Sequence, residues 1–213
     1  MTDLLNAILV IVLMLNLFAL GTSRILSVIR TVALQGALLG AVPLLAHEHM
    51  TFPAILAAVG AIALKGIVTP AVMMRALREA QIKREVEPLI GLLPSIILGA
   101  LGTAFALLFA GRLPLAAAHA GTLLVPASIA TVLTGFLLLT TRYKAITQVV
   151  GYLVLDNGIF IFGMLLIEAM PYIVEMGVLL DLFVGVFVIS IILNHINRAF
   201  SSLDTRRLSA LKE

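Results

Sequence analysis

Gln148-Val-Val-Gly-Tyr-Leu-Val-Leu-Asp-Asn-Gly-Ile-Phe160 is an apolar run with one carboxylate, Asp156, set in its middle. A charged side chain at bilayer depth costs at least about 2.5–3.5 kcal/mol on insertion scales, so such residues handle ions or protons, or are paired. The next apolar run has the same feature, since Val178-Leu-Leu-Asp-Leu-Phe-Val184 is interrupted by Asp181. Both aspartates fall roughly half way along their segments. Two acids at one depth on consecutive helices need a reason, and the rest of the chain supplies the context for it.

Hydrophobic residues make up 62% of the 213 positions and charged residues 12%, and the mean hydropathy is +1.17. No water-soluble domain of this size carries that composition, so the chain reads as an integral membrane protein. It has no cysteine, which excludes disulfides, thiolate metal sites, iron–sulfur ligation and a thiol nucleophile. The net charge of +3 is small, and topology accounts for the basic residues, so nucleic acid is not an expected partner. The first apolar run follows an acidic amino end and lacks a small-x-small cleavage site, so it reads as a retained helix.

Seven apolar runs approach the roughly 20 residues that a helix needs to cross a bilayer. They lie near Leu4–Leu20, Ile25–Ala46, Pro53–Met74, Pro88–Ala110, Gly121–Leu139, Ala145–Ile167 and Tyr172–His195. The expected fold is all-α, a polytopic transmembrane bundle of about seven helices. Helices are favoured because the runs are continuous and a spanning segment must satisfy its backbone internally. The organisation divides into a three-helix unit with a connector over residues 1–87, a linking helix over 88–120 and a second three-helix unit with a tail over 121–213. Only Arg75–Glu87 is a long connection, and its charges read as a solvated extension of the third helix.

Twelve of the fourteen basic residues fall on one side of this arrangement, with Arg112 opposite and Lys65 inside a span. Short cytoplasmic loops collect lysine and arginine. The expected topology in a cell inner membrane is therefore a periplasmic amino terminus and a cytoplasmic carboxyl terminus. Laying the second and third runs over the sixth and seventh gives a weak parallel repeat, in which Lys65 matches Asp181 and Gln35-Gly36 falls near Asp156-Asn157.

Asp156 and Asp181 both reach the central third of their helices at about 1.5 Å per residue, where they can face each other or a shared file of water. Burial in a low dielectric favours the neutral carboxyl, a state from which a proton can be released and retaken. The alternative for each is a structural hydrogen bond to a neighbouring helix; matched depth favours proton or ion handling. Lys65, followed by Gly66 and by Thr69-Pro70, is either a relay base whose pairing modulates the acids or one half of a buried Lys–Asp pair. Asn157 reads as an interhelical hydrogen-bonding residue. His195 lies fourteen positions after Asp181, on the same helical face, and is either a proton carrier toward the cytoplasm or an interfacial histidine. His47-Glu48-His49 reads as a surface turn, not a metal site, and Glu168 and Glu175 as interfacial. No catalytic triad, Cys–His pair or zinc spacing is present, so the chain carries no enzyme active site of its own.

The tract Thr140-Thr-Arg-Tyr-Lys144, then Gln148-Val-Val-Gly-Tyr-Leu-Val-Leu-Asp156-Asn157-Gly158, with the tail Leu203-Asp-Thr-Arg-Arg-Leu-Ser-Ala-Leu-Lys212, resembles the HyfE family, the component E membrane subunit of hydrogenase-4 and related formate hydrogenlyase complexes. The resemblance covers most of the chain and is strongest from Thr131 onward. It extends more faintly to the NuoK and MrpC subunits of respiratory complex I and of multisubunit cation/proton antiporters, which are similar to the last three helices. In NuoK-like subunits two membrane-embedded glutamates belong to the proton path, and the resemblance places them on Asp156 and Asp181, each one methylene shorter. Lys65 aligns with a lysine in the extra amino-terminal helices of HyfE-like proteins. The resemblance implies a supporting subunit of an energy-converting nickel–iron hydrogenase. No cofactor is then expected on this chain, and the nickel–iron centre and iron–sulfur clusters belong to partner subunits. The expected partners are antiporter-like and other membrane subunits, a peripheral hydrogenase arm and the lipid bilayer.

Overall fold

A computed structural model describes residues 2–46, 52–79, 86, 88–114, 121–166 and 177. These residues contain no β-strand; they form helices α1 (Thr2–Gly21), α2 (Ile25–Ala46), α3 (Phe52–Ala61), α4 (Thr69–Glu79), α5 (Leu92–Ala110), α6 (Leu124–Thr141) and α7 (Ala145–Met164). A π-helical segment, Ile62–Val68, joins α3 to α4 without leaving helical backbone, so the three make one rod. Counting that rod once, six helices among the described residues are long and apolar enough to cross a membrane. The seventh expected run, Tyr172–His195, lies outside the described residues, apart from Gly177.

Prolines mark several starts. Pro53, Pro94 and Pro126 each sit in the first turn of their helix, where a missing N–H would have had no intrahelical acceptor anyway. Pro88 does not begin a helix, although the apolar run starts there. It pairs with Arg142 in an isolated antiparallel bridge, and the next amide, Leu89 N–H, donates to Thr141 O at 2.8 Å. Helix α5 consequently starts only after Gly91. The third rod runs on to Glu79, in keeping with an extension of that span.

One end of the bundle is tied together by backbone. The α1–α2 turn accepts Val86 N–H at Ser23 O, 2.7 Å, and Arg142 Nη2 donates to Leu20 O at the end of α1, 2.8 Å. Arg142 follows α6 as the sequence reading has it, but it is not a solvated loop cation: it is 1% exposed. Among the described residues its Nε and Nη1 have no hydrogen-bond partner, and burial pushes its pKa below the usual arginine value. A cation on the last carbonyls of a helix also favours the helix dipole. At the opposite end the Asn6 side chain clamps the turn before α6, donating to Gly121 O at 3.1 Å and accepting from Leu123 N–H at 2.9 Å. Gly121 has φ +89°, a left-handed conformation that glycine adopts without a Cβ penalty.

The core has two apolar layers. One gathers Leu20, Ile25, Ile29, Met73, Leu138, Val150 and Val154 near the Arg142 end. The other gathers Leu9, Val12, Leu39, Val42, Ala127 and Ile161 near the Asn6 end. Glycines let the rods close around the zone between them. A Cβ on Gly36 would stand 2.8 Å from Lys65 Cβ, and one on Gly40 would stand 2.8 Å from Ile62 Cγ1, so α2 meets the π segment almost backbone to backbone, the familiar use of small residues four apart. On α7, Gly158 packs against Val132 N at 2.6 Å by the same measure.

Substituting Gly36→Leu forces α2 off the π segment and is expected to destabilise the folded protein by about 1–3 kcal/mol or more, read as a lowered midpoint in a detergent-denaturation series. An unchanged midpoint would mean that this contact is not needed.

Candidate functional site

Between the two apolar layers lies a polar one. On α2 the inward positions run Ile25, Val28, Val32, Gln35, Leu39, Val42, all buried, a three–four alternation that keeps one seam facing the bundle. Gln35 is the polar residue in that seam. Asn157 holds the equivalent place on α7 among Val150, Val154, Ile161 and Met164, Asn16 on α1 between Val12 and Ala19, and Thr131 on α6 between Ala127 and Leu138.

These residues are joined in one direction. Lys65 Nζ lies 2.7 Å from Asp156 Oδ2 and donates to Asn157 Oδ1 at 3.5 Å. Asn157 Nδ2 donates to Gln35 Oε1 at 3.3 Å, Gln35 Nε2 to Asn16 Oδ1 at 2.9 Å, and Asn16 Nδ2 to Thr131 Oγ1 at 2.8 Å. The row links the π segment, α7, α2, α1 and α6. Its amides are dry, with Asn16 and Gln35 1% exposed and Asn157 2%. The ion pair at its end is not sealed, since the Lys65 and Asp156 side chains are 11% and 19% exposed. The ring of Phe160, one turn beyond Asp156, lies beneath the ammonium with its centroid 5.0 Å away, an arrangement that adds attraction between cation and ring face.

The local sequence explains the placement of Lys65. Pro70 has no amide hydrogen and its ring crowds the carbonyl four residues earlier. The helix widens there: Thr69 N–H bonds to Leu64 O, five residues back. Single π turns are rare and recur at functional sites. Here the turn carries Lys65.

Of the four residues singled out from the sequence, the structure brings Asp156 and Lys65 together. Asp181 and His195 lie outside the described residues, as do His47-Glu48-His49, Glu168 and Glu175. Asn157 makes the interhelical bond expected of it and also reaches Lys65. Asn16, Thr131 and the role of Gln35 were not foreseen. Their signal is weak, because each shares its apolar run with at least one other polar side chain. Among the described residues no group of three His, Asp or Glu side chains could hold a metal ion.

A chemical division follows from the arrangement. Neutral amides neither take nor release protons near neutrality, so the row from Asn157 to Thr131 holds geometry. The groups that can change charge are Asp156 and Lys65, at the end that is open.

The class so defined is an all-helical, multi-pass membrane protein with a polar layer at mid-span. Over 193 residues the chain is 35% identical to the uncharacterized protein Rv0085 of Mycobacterium tuberculosis, covering 88% of this chain and 86% of that one. The chain belongs to the family of that protein. No family model matches the chain, and no solved structure matches it.

Removing one member of a fully buried ion pair leaves a stranded charge and costs about 3–5 kcal/mol, an upper bound for this part-buried pair, whereas replacing both by apolar residues costs much less. Asp156→Leu and Lys65→Met should each destabilise the protein strongly, and the double variant should recover most of the loss in a double-mutant cycle. Additive losses would show that the two charges do not depend on each other.

Proposed function

We propose that this chain is a non-catalytic membrane subunit of a multisubunit nickel–iron hydrogenase related to complex I, in which Asp156 belongs to a transmembrane proton or sodium pathway coupled to electron transfer in other subunits. The observation that carries this reading is the Lys65–Asp156 pair, two opposite charges at mid-span on different helices, partly open at one end and fixed by dry amides at the other. Intramembrane charges of this kind mark ion and proton routes. A proton arriving at Asp156 neutralises it and releases Lys65; a proton leaving restores the pair. A sodium ion would act through the same carboxylate by competing with the ammonium. Asp181 and His195 extend the pathway in this reading, Asp181 as a second acid and His195 as a carrier toward the cytoplasm.

The hydrogenase assignment rests on the resemblance to the HyfE family in the tract around Asp156. It places the nickel–iron centre and iron–sulfur clusters on partner subunits and gives antiporter-like subunits and a peripheral hydrogenase arm as neighbours. The bundle end carrying Arg24, Arg75, Arg78, Arg142 and Lys144 is the cytoplasmic one by the positive-inside rule, which puts the amino terminus on the periplasmic side of an inner membrane. A subunit of a related Mrp-type cation/proton antiporter would use the same acids without a redox partner.

A second reading, a purely structural subunit bridging antiporter-like subunits and the peripheral arm, is favoured by one observation: the amide row stitches four helices, α7, α2, α1 and α6, through three successive hydrogen bonds. The two readings differ in what Asp156→Asn does. In the intact complex, the pathway reading expects this variant, and Asp181→Asn, to assemble but to lower ions translocated per turnover. The structural reading expects normal coupling from Asp156→Asn, and Asp156→Leu to hurt assembly more than Asp156→Asn does, because the lost item is a hydrogen bond. Native electrophoresis read beside vesicle acidification separates them.

A further inference from the structure

We propose that the groove at the Arg24 end of α1 is a binding site for the headgroup of an anionic phospholipid. A cavity of about 440 Å³ is lined by Leu17, Phe18, Gly21, Thr22, Ser23, Arg24 and Ile96, within the roughly 300–1,000 Å³ usual for small-molecule sites. Its walls change character along the helix axis. Leu17, Phe18 and Ile96 belong to spanning helices, and Phe18 is exposed; Thr22, Ser23 and Arg24 form the turn just beyond α1. An amphiphile lying along α1 would set its chains against the first three and its phosphate against the last three.

Charge decides among amphiphiles. The Arg24 guanidinium is exposed and, among the described residues, makes no ion pair or hydrogen bond. Among the described lining residues there is a cation and no acid, so these residues offer a partner for a phosphate and none for the ammonium of a zwitterionic headgroup. The Thr22 hydroxyl is available as well: its Oγ1 accepts Arg24 N–H at 3.4 Å, which leaves its own hydrogen to donate, while the Ser23 carbonyl is held by Val86 N–H. Basic pockets between membrane helices recognise anionic headgroups in this way. Gly21 lets the Ile96 side chain pack closely along this edge of the groove, because a Cβ there would stand 2.7 Å from Ile96 Cδ1. This inference is independent of any role for Asp156.

The test uses the full chain in nanodiscs of phosphatidylcholine, alone or with phosphatidylglycerol, followed by native mass spectrometry after release and by thermal melting. One phosphatidylglycerol should be retained and the melting temperature should rise with it. Arg24→Gln should weaken retention roughly tenfold, the loss of a charge-assisted bond, while Arg24→Lys keeps most of it. If Arg24→Gln does not fold, Thr22→Val is read instead and should lower retention in the same direction. Equal melting in both lipids, undiminished retention in Arg24→Gln or Thr22→Val, or the same stabilisation by inorganic phosphate in detergent would overturn the proposal.

Discussion

A lysine and an aspartate in contact at mid-span constrain everything around them. Each charge alone would be expelled from a medium of low dielectric, and together they are tolerable only with close geometry and with their remaining hydrogen-bonding capacity engaged. The surrounding structure supplies both. The π turn sets the lysine, the glycines of α2 bring the backbone against it, and Asn157 ties the pair to an amide row that ends four helices away.

That row also accounts for how the helices keep their relative heights. Between two layers of interchangeable apolar side chains, sliding one helix by a turn would cost little in packing. It would break a bond between amides that have no water to turn to, and a single polar residue in an apolar seam is an established way of fixing register. Polar contacts between membrane helices are worth about 0.6 kcal/mol each on average, so four in series specify an arrangement more than they supply its stability.

Much of this was legible in the sequence, for unequal reasons. Helix positions follow from the apolar runs, because length and a closed backbone leave few options in a bilayer. Asp156 and Lys65 stood out because charge is scarce there, and their pairing was one of the two readings open for Lys65. The amide row was not legible. In a soluble helix a three–four alternation of apolar residues reveals the buried face; here nearly every position is apolar, so nothing marks Gln35 or Asn16 as inward. Arg142 misled for the opposite reason: a basic residue after a membrane helix reads as solvated, and only the backbone pairing of Pro88 and Leu89 with the end of α6 reveals that the chain folds over it.

The distance along the chain between the two charges has a consequence for biogenesis. Asp156 follows Lys65 by 91 residues, and at about 5–20 residues per second of synthesis the lysine is made several seconds before its counter-ion exists. During that interval the third span has a lysine at its centre with no Asp156 to pair with it, a cost of about 2.5–3.5 kcal/mol on insertion scales. The counter-ion arrives only with α7, so the polar layer is completed by the last of the described helices to be synthesised.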